Sequence, residues 1–207
     1  MRYKGKYYKY LFSVFIAVLL WSPIQTYSSE TLSHKELIEQ LKSGGMVIYW
    51  RHAITDHKQV DNADLKLEDC STQRNLSELG RQQARDIGKK FRSLKIGVGD
   101  IFSSPFCRCI QTAELAFKQK PQIDESLFFA VGLKKEDREK QAKFLLKRLS
   151  TSPPKGVNNV IVSHTANLKE TTNIWPKPEG VMHIFKPEDD GYSHLGSLPP
   201  DFWTTKR

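Results

Sequence analysis

The stretch "VIYWRH" at 47–52 runs four apolar or aromatic residues straight into Arg51 and His52, with no turn residue between them. A second apolar run, "NNVIVSH" at 158–164, also ends on a histidine, His164. Between the two, "DIFSSPFCR" carries Arg108 just beyond a Ser-Ser-Pro turn. An imidazole can attack a phosphoryl group and hold it as a phosphohistidine, which divides one hard displacement into two easier ones. The group in transit carries negative charge on three oxygens, and forked guanidinium groups stabilise it both bound and in the transition state. Arg51, Arg108, His52 and His164 suit that chemistry without a metal. Taken singly each has a plainer reading. A histidine at a strand end is commonly a packed structural residue, and an arginine opening a helix is commonly a solvated charge, although helix starts favour acids.

Their joint meaning depends on elements that bring them together. "TLSHKELIEQLKS" at 31–43 has Leu32, Leu37, Ile38 and Leu41 at helical spacing, stopped by Gly44-Gly45. "MVIYW" reads as a short buried strand, and residues 53–75 as a polar loop of functional length. "NLSELGRQQARDIGKKFRSL" predicts a helix capped by Ser77, with Leu79, Ala84, Ile87, Phe91 and Leu94 on its apolar face. "DIFSSP" predicts a strand, "RCIQTAELAFKQ" a helix with Ile110, Ala113 and Phe117 inward, and "EDREKQAKFLLKRL" another helix before Pro153-Pro154. "NNVIVSH" and "GVMHIFKP" complete four strands. Alternating strands and helices imply right-handed βαβ units, hence a three-layer α/β/α sandwich with a mainly parallel sheet. Ligands of such sheets sit beyond the carboxyl ends of the strands, where His52, the turn before Arg108 and His164 all fall.

The whole chain sets the context. With 207 residues, 39% hydrophobic and 11% aromatic, it is long enough for one α/β domain. Of its net charge of +9, four units belong to Arg2, Lys4, Lys6 and Lys9 in an N-terminus free of acids. There a basic stretch precedes the 11-residue apolar run "LFSVFIAVLLW", then Pro23 and a small-residue pattern ending at Ser28. Eleven residues fall short of a bilayer span of about 20 and match a signal-peptide core of about 7–15. The expectation is a signal peptide over 1–28, with an uncleaved anchor as the alternative, and a single exported domain over 29–207. The mature protein is then periplasmic or secreted and keeps no stable membrane anchor. Three cysteines, Cys70, Cys107 and Cys109, allow one bridge and one free thiol in such a compartment. Cys70 closes the long loop and Cys107 lies in the turn that delivers Arg108, so the expected pair is Cys70–Cys107. No cysteine or histidine spacing suits a metal, and none is expected. The basic run Lys134–Arg148 is interleaved by Glu136, Asp137 and Glu139, a solvated helix face rather than a nucleic-acid patch. His34, His57 and His194 are expected to face solvent, His183 to pack in its strand, and "WPKPEG" at 175–180 to form a rigid loop at the pocket rim, with substrate contact by Trp175 as the lesser alternative.

In order and spacing, "WRHA" at 50–53, "NLSELGRQQARDIG" at 75–88, "IFSSPFCRCIQTAELAF" at 101–117 and "VIVSHTAN" at 160–167 resemble the histidine phosphatase superfamily, of phosphoglycerate mutase-like fold. The likeness runs from about Met46 to His183. It implies that His52 is the nucleophile, Arg51 and Arg108 bind phosphate, and His164 is the second pocket histidine. It further implies a phosphomonoesterase with a small phosphorylated substrate and no cofactor. Among exported relatives the chain resembles bacterial phosphatases related to those acting on lipopolysaccharide-core heptose phosphate, which points to a sugar phosphate or related envelope phosphomonoester. Two alternatives stand beside this: a phosphohistidine-protein phosphatase, and a non-catalytic phosphate or anion binder of the same fold. The chain departs from the family where Ala53 replaces glycine, where Thr165 follows the second histidine, and where Phe129 or Ala130 stands in place of the acid. The proton donor is therefore open. Glu125 comes first, then Asp56 and Asp124, with Glu179 or water as the remaining choices.

Overall fold

The computed structural model describes residues 31–203. The expected signal peptide lies outside them. In chain order the elements are α1 (His34–Ser43), β1 (Val47–Arg51), α2 (Glu78–Ser93), β2 (Val98–Ser103), α3 (Cys107–Phe117), β3 (Gln122–Ile123), α4 (Lys135–Leu149), β4 (Asn158–Ser163), α5 (Thr165–Thr172), β5 (Met182–Glu188), β6 (Gly191–Leu198) and α6 (Pro200–Trp203). One six-stranded sheet has the order β3-β2-β4-β1-β5-β6. Strands β1 to β4 pair in parallel, and the β5–β6 hairpin adds an antiparallel edge.

Strand periodicity splits the core into two layers. Ile48, Trp50, Val160 and Val162 pack with α1, α2 and α3 through Leu37, Leu41, Ile87, Phe91 and Ala113. Val47, Tyr49 and Ile161 face the other way, against Leu145 and Leu149 of α4 and Leu168 of α5. A sheet covered on both faces needs strands apolar on both sides, hence the unbroken apolar runs that end at the two histidines.

Helix ends follow local chemistry. α1 starts later than expected because Ser33 caps it in a reciprocal pair with Glu36. Its stop at Gly44 is obligatory: φ is +78°, and a Cβ there would lie 2.5 Å from the Gly156 carbonyl carbon. Ser77 caps α2 by accepting the Gly80 N–H. Leu79, expected inside, is 67% exposed, and Gly80 takes the inner face, where Ile54 O leaves no room for a side chain. On α3 the buried stripe is Cys109, Ala113 and Ala116, with Ile110 and Phe117 only partly covered. Among the described residues no helix is long and apolar enough to cross a membrane.

The hairpin carries a buried polar pair. His183 is buried on β5, and its Nδ1 lies 3.1 Å from His194 Nε2 on β6, so His194 is not the free surface group expected. Burial and then His194 push His183 down to about 4. A pKa depressed from about 6.5 gives stability that is complete above the unfolded value and lost as pH falls toward 4. Chemical denaturation should show wild type losing up to about 3 kcal/mol more than His183→Gln between neutral pH and about pH 4. Parallel losses in the two proteins would refute this.

Candidate active site

Beyond the carboxyl ends of β1 and β4 a cleft of about 440 Å³ opens, with Arg51, His52, Arg74, Arg108 and His164 along its inner wall. Phe129, Val131 and Trp175 form its apolar side, and Lys169 and Glu170 of α5 stand at its mouth.

Both histidines are placed by the parallel pairing itself. His52 is the first residue past β1, and its N–H donates to Ser163 O at the end of β4. His164 follows β4 at once and opens α5, its carbonyl held by Tyr49 Oη at 2.6 Å. The ring centroids are 5.5 Å apart. His52 Nδ1 lies 2.9 Å from its neighbour's carbonyl, Ala53 O, so Nδ1 carries the hydrogen and Nε2 keeps its lone pair. Ser104 Oγ accepts the Phe106 N–H and lies 2.8 Å from His164 Nε2. Burial, then the Arg108 charge, lower His52 to about 3, and the same two causes hold His164 well below the usual imidazole range. Both rings are neutral at physiological pH, the form a nucleophile requires. Ala53 is compatible with this geometry: positive φ outside glycine occurs at Lys95, Lys118 and Asn173, and Ala53 N–H donates to Thr112 Oγ1.

Three guanidinium groups converge here, one more than the sequence suggested. Arg108, fully buried in the first turn of α3, lies 4.3 Å over the Phe106 ring and donates to Asp61 at 2.9 Å. Arg51 donates to Pro176 O and to Glu179. Arg51 Nε and Arg108 Nε are buried and have no hydrogen-bond partner among the described residues. Buried N–H groups in that state suit an incoming oxyanion. Arg74 was missed because it lies in the irregular loop. It is the single arginine between residues 53 and 75, and the loop's cysteine leads to the turn before Arg108, which was the available signal.

The acids require correction. Glu125 is exposed on a 3-10 turn and does not line the cleft. Asp124 is bound by Arg148 and Ser126, whose pull outweighs burial and lowers its pKa, away from the form a donor needs. Asp56 accepts the Lys58 N–H and lies outside the cleft wall. Glu179 is buried and accepts from Thr55 N and Oγ1 and from Arg51, with His57 Nε2 at 3.1 Å. Burial raises its pKa, but the Thr55 N–H, the His52 interaction and the other bonds prevail, and the net shift is downward. It stands as a counter-charge to Arg51. Glu170 is the carboxylate that does line the cleft, and it is exposed.

A disulfide joins Cys70 to Cys107, bringing the long loop against the start of α3, and Gln73 Oε1 accepts the Cys107 N–H beside it. Cys109 is free and buried, 3.7 Å from His164 Nε2, and burial pushes its thiol up to about 12. Among the described residues no group of three or more His, Cys, Asp and Glu could hold a metal ion.

Residues 47–128 match the histidine phosphatase superfamily, branch 1. No curated protein matches by sequence. Among solved structures, phosphoserine phosphatase from Entamoeba histolytica, in complex with 3-phosphoglyceric acid, is 16% identical over 77% of this chain and 99% of that one, with a TM-score of 0.54. The protein histidine phosphatase SixA, complexed with tungstate, is 14% identical over 75% and 97%, with a TM-score of 0.54. Mycobacterial glucosyl-3-phosphoglycerate phosphatase, complexed with VO3, is 16% identical over 73% and 97%, with a TM-score of 0.53. At such identities the likeness shows the fold.

Proposed function

We propose, from the match of residues 47–128 to the histidine phosphatase superfamily, that the chain is a metal-independent phosphomonoesterase working through a phosphohistidine on His52. One observation carries the reading: a neutral, buried imidazole with a free Nε2 faces a cleft walled by Arg51, Arg74 and Arg108. In the first step His52 Nε2 forms a bond to phosphorus, the ester P–O bond breaks, and the leaving oxygen takes a proton from solvent. In the second, water attacks phosphorus and the P–N electron pair returns to Nε2. The water's proton passes to solvent, and inorganic phosphate leaves. The guanidinium groups meet the charge on the phosphoryl oxygens in both steps.

The substrate in this reading is a small phosphorylated molecule met outside the cytoplasm, a sugar phosphate or related envelope phosphomonoester. The basic-then-apolar N-terminal segment and the Cys70–Cys107 bridge support that setting. A second reading draws on Phe129, which packs 5.1 Å from the His164 ring where the resemblance calls for an acid. Leaving groups that need little protonation suit such a wall, and a phosphorylated protein histidine is one.

A panel of p-nitrophenyl phosphate, alkyl phosphates and a histidine-phosphorylated protein tests these readings. Aryl phosphate should be hydrolysed faster than alkyl phosphate, and Glu125→Gln and Asp124→Asn should leave that ratio within about twofold of wild type. A selective loss of about tenfold on alkyl substrates in either variant would reinstate it as donor. No turnover of any substrate, with phosphate still bound, would make the protein an anion binder.

A further inference from the structure

Arg51 and Arg74 have a second side. Behind them lies a broader depression of about 740 Å³ that shares these two arginines with the catalytic cleft and adds His57, Lys177 and Glu179, with Ile54 and Pro178 as apolar surface. We propose that this depression is a subsite for a second anionic group of the substrate, a carboxylate or a second phosphate.

The charge arrangement supports this. Three permanent cations, Arg51, Arg74 and Lys177, line the depression against the single carboxylate of Glu179. That carboxylate is already engaged by Arg51, by Thr55 through two bonds, and by His57. It neutralises little beyond Arg51, which leaves Arg74 and Lys177 to attract an anion. Lys177 is exposed, and its Nζ sits 5.0 Å from the centre of the Trp175 ring, whose residue lines the catalytic cleft. The Lys177 side chain therefore stands next to the boundary between the two cavities. Because the cavities share a wall of arginines, a compact molecule with anions at both ends can bridge it, one end at His52 and the other at Arg74 and Lys177. A neutral sugar hydroxyl in the second cavity would meet the same cations without the Coulombic gain.

The inference deepens the phosphatase reading and rests on it for the identity of the first anion, so its test reads binding rather than turnover. Calorimetry on the full chain bearing His52→Ala compares glucose 6-phosphate with glucose 1,6-bisphosphate and with 6-phosphogluconate. At least one of the two doubly anionic ligands should bind about tenfold more tightly than glucose 6-phosphate or better. Which of them does so tells phosphate from carboxylate. Lys177→Glu, placed on the exposed surface, should erase that advantage while changing glucose 6-phosphate affinity by less than about twofold, and added salt should reduce it. Equal binding of all three ligands, absence of binding by both doubly anionic ones, or an advantage that survives Lys177→Glu would overturn the proposal. Turnover of p-nitrophenyl phosphate by the wild-type chain reports separately on the phosphatase reading.

Discussion

His52→Ala should lower kcat/KM on an aryl phosphate by at least about 10⁴-fold, equivalent to about 5.5 kcal/mol of transition-state stabilisation, and abolish acid-labile phosphorylation of the protein. Of the two imidazoles that line the cleft, His52 has its Nδ1 on Ala53 O and leaves Nε2 for phosphorus, whereas His164 Nε2 is engaged by Ser104. His52 is buried rather than a rim residue, but its side chain gives the fold only the hydrogen bond to Ala53 O and the edge contact with the His164 ring, beside an open cleft, so circular dichroism should match wild type. The acid limb of wild-type kcat/KM should fall well below the range of free imidazole, because the ring stays neutral down to about 3. The same depressed pKa makes the folded state lose stability as pH falls from about 6.5 toward that value, and His52→Ala should be less sensitive to acid there. Retained activity in His52→Ala would end the phosphohistidine mechanism.

Arg108→Ala should cost about 10³-fold in kcat/KM and Arg108→Lys about 10–100-fold, with the loss in the alanine variant accompanied by lower thermal stability. Arg108 is fully buried, and its guanidinium serves Asp61 through Nη1 while Nε remains unbonded. A planar fork can hold Asp61 and a phosphoryl oxygen at once. A lysine ammonium at that depth has the charge but must choose between them. Alanine in addition takes away the Asp61 carboxylate's guanidinium partner, leaving it the Arg74 N–H, and opens a void under Phe106. Steady-state kinetics with a thermal melt separate the two effects, and a fully active lysine variant would exclude fork recognition by this residue.

How legible these features were depends on what holds each in place. The two histidines could be read because apolar strands buried on both faces end abruptly, and a parallel sheet collects their carboxyl ends. β6 could not, since "GYSHLGSL" is polar and glycine-rich and becomes a strand only by pairing with β5, although the Asp190-Gly191 turn before it was a hairpin signal. α5 is eight residues long with no side-chain cap at its start, so its order comes from packing Leu168 against the sheet. Arg74 and Asp61 were hidden for another reason: they reach the site through a loop whose path is set by long-range contacts. Glu125 misled because closeness in sequence to Phe129 does not fix direction, and a 3-10 turn aims it outward.

The Cys70–Cys107 link spans 37 residues of sequence and holds the loop with Asp61 and Arg74 against the helix that carries Arg108. Closing a loop of that size contributes about 4 kcal/mol on the chain-entropy account. Neither sheet layer depends on it, because the core clusters are built from the strands and the helices packed on them. The link is thus a brace for the pocket and not for the sandwich: opening it should slacken the stretch that carries Asp61 and Arg74 while both sheet layers and both histidine positions stay in place.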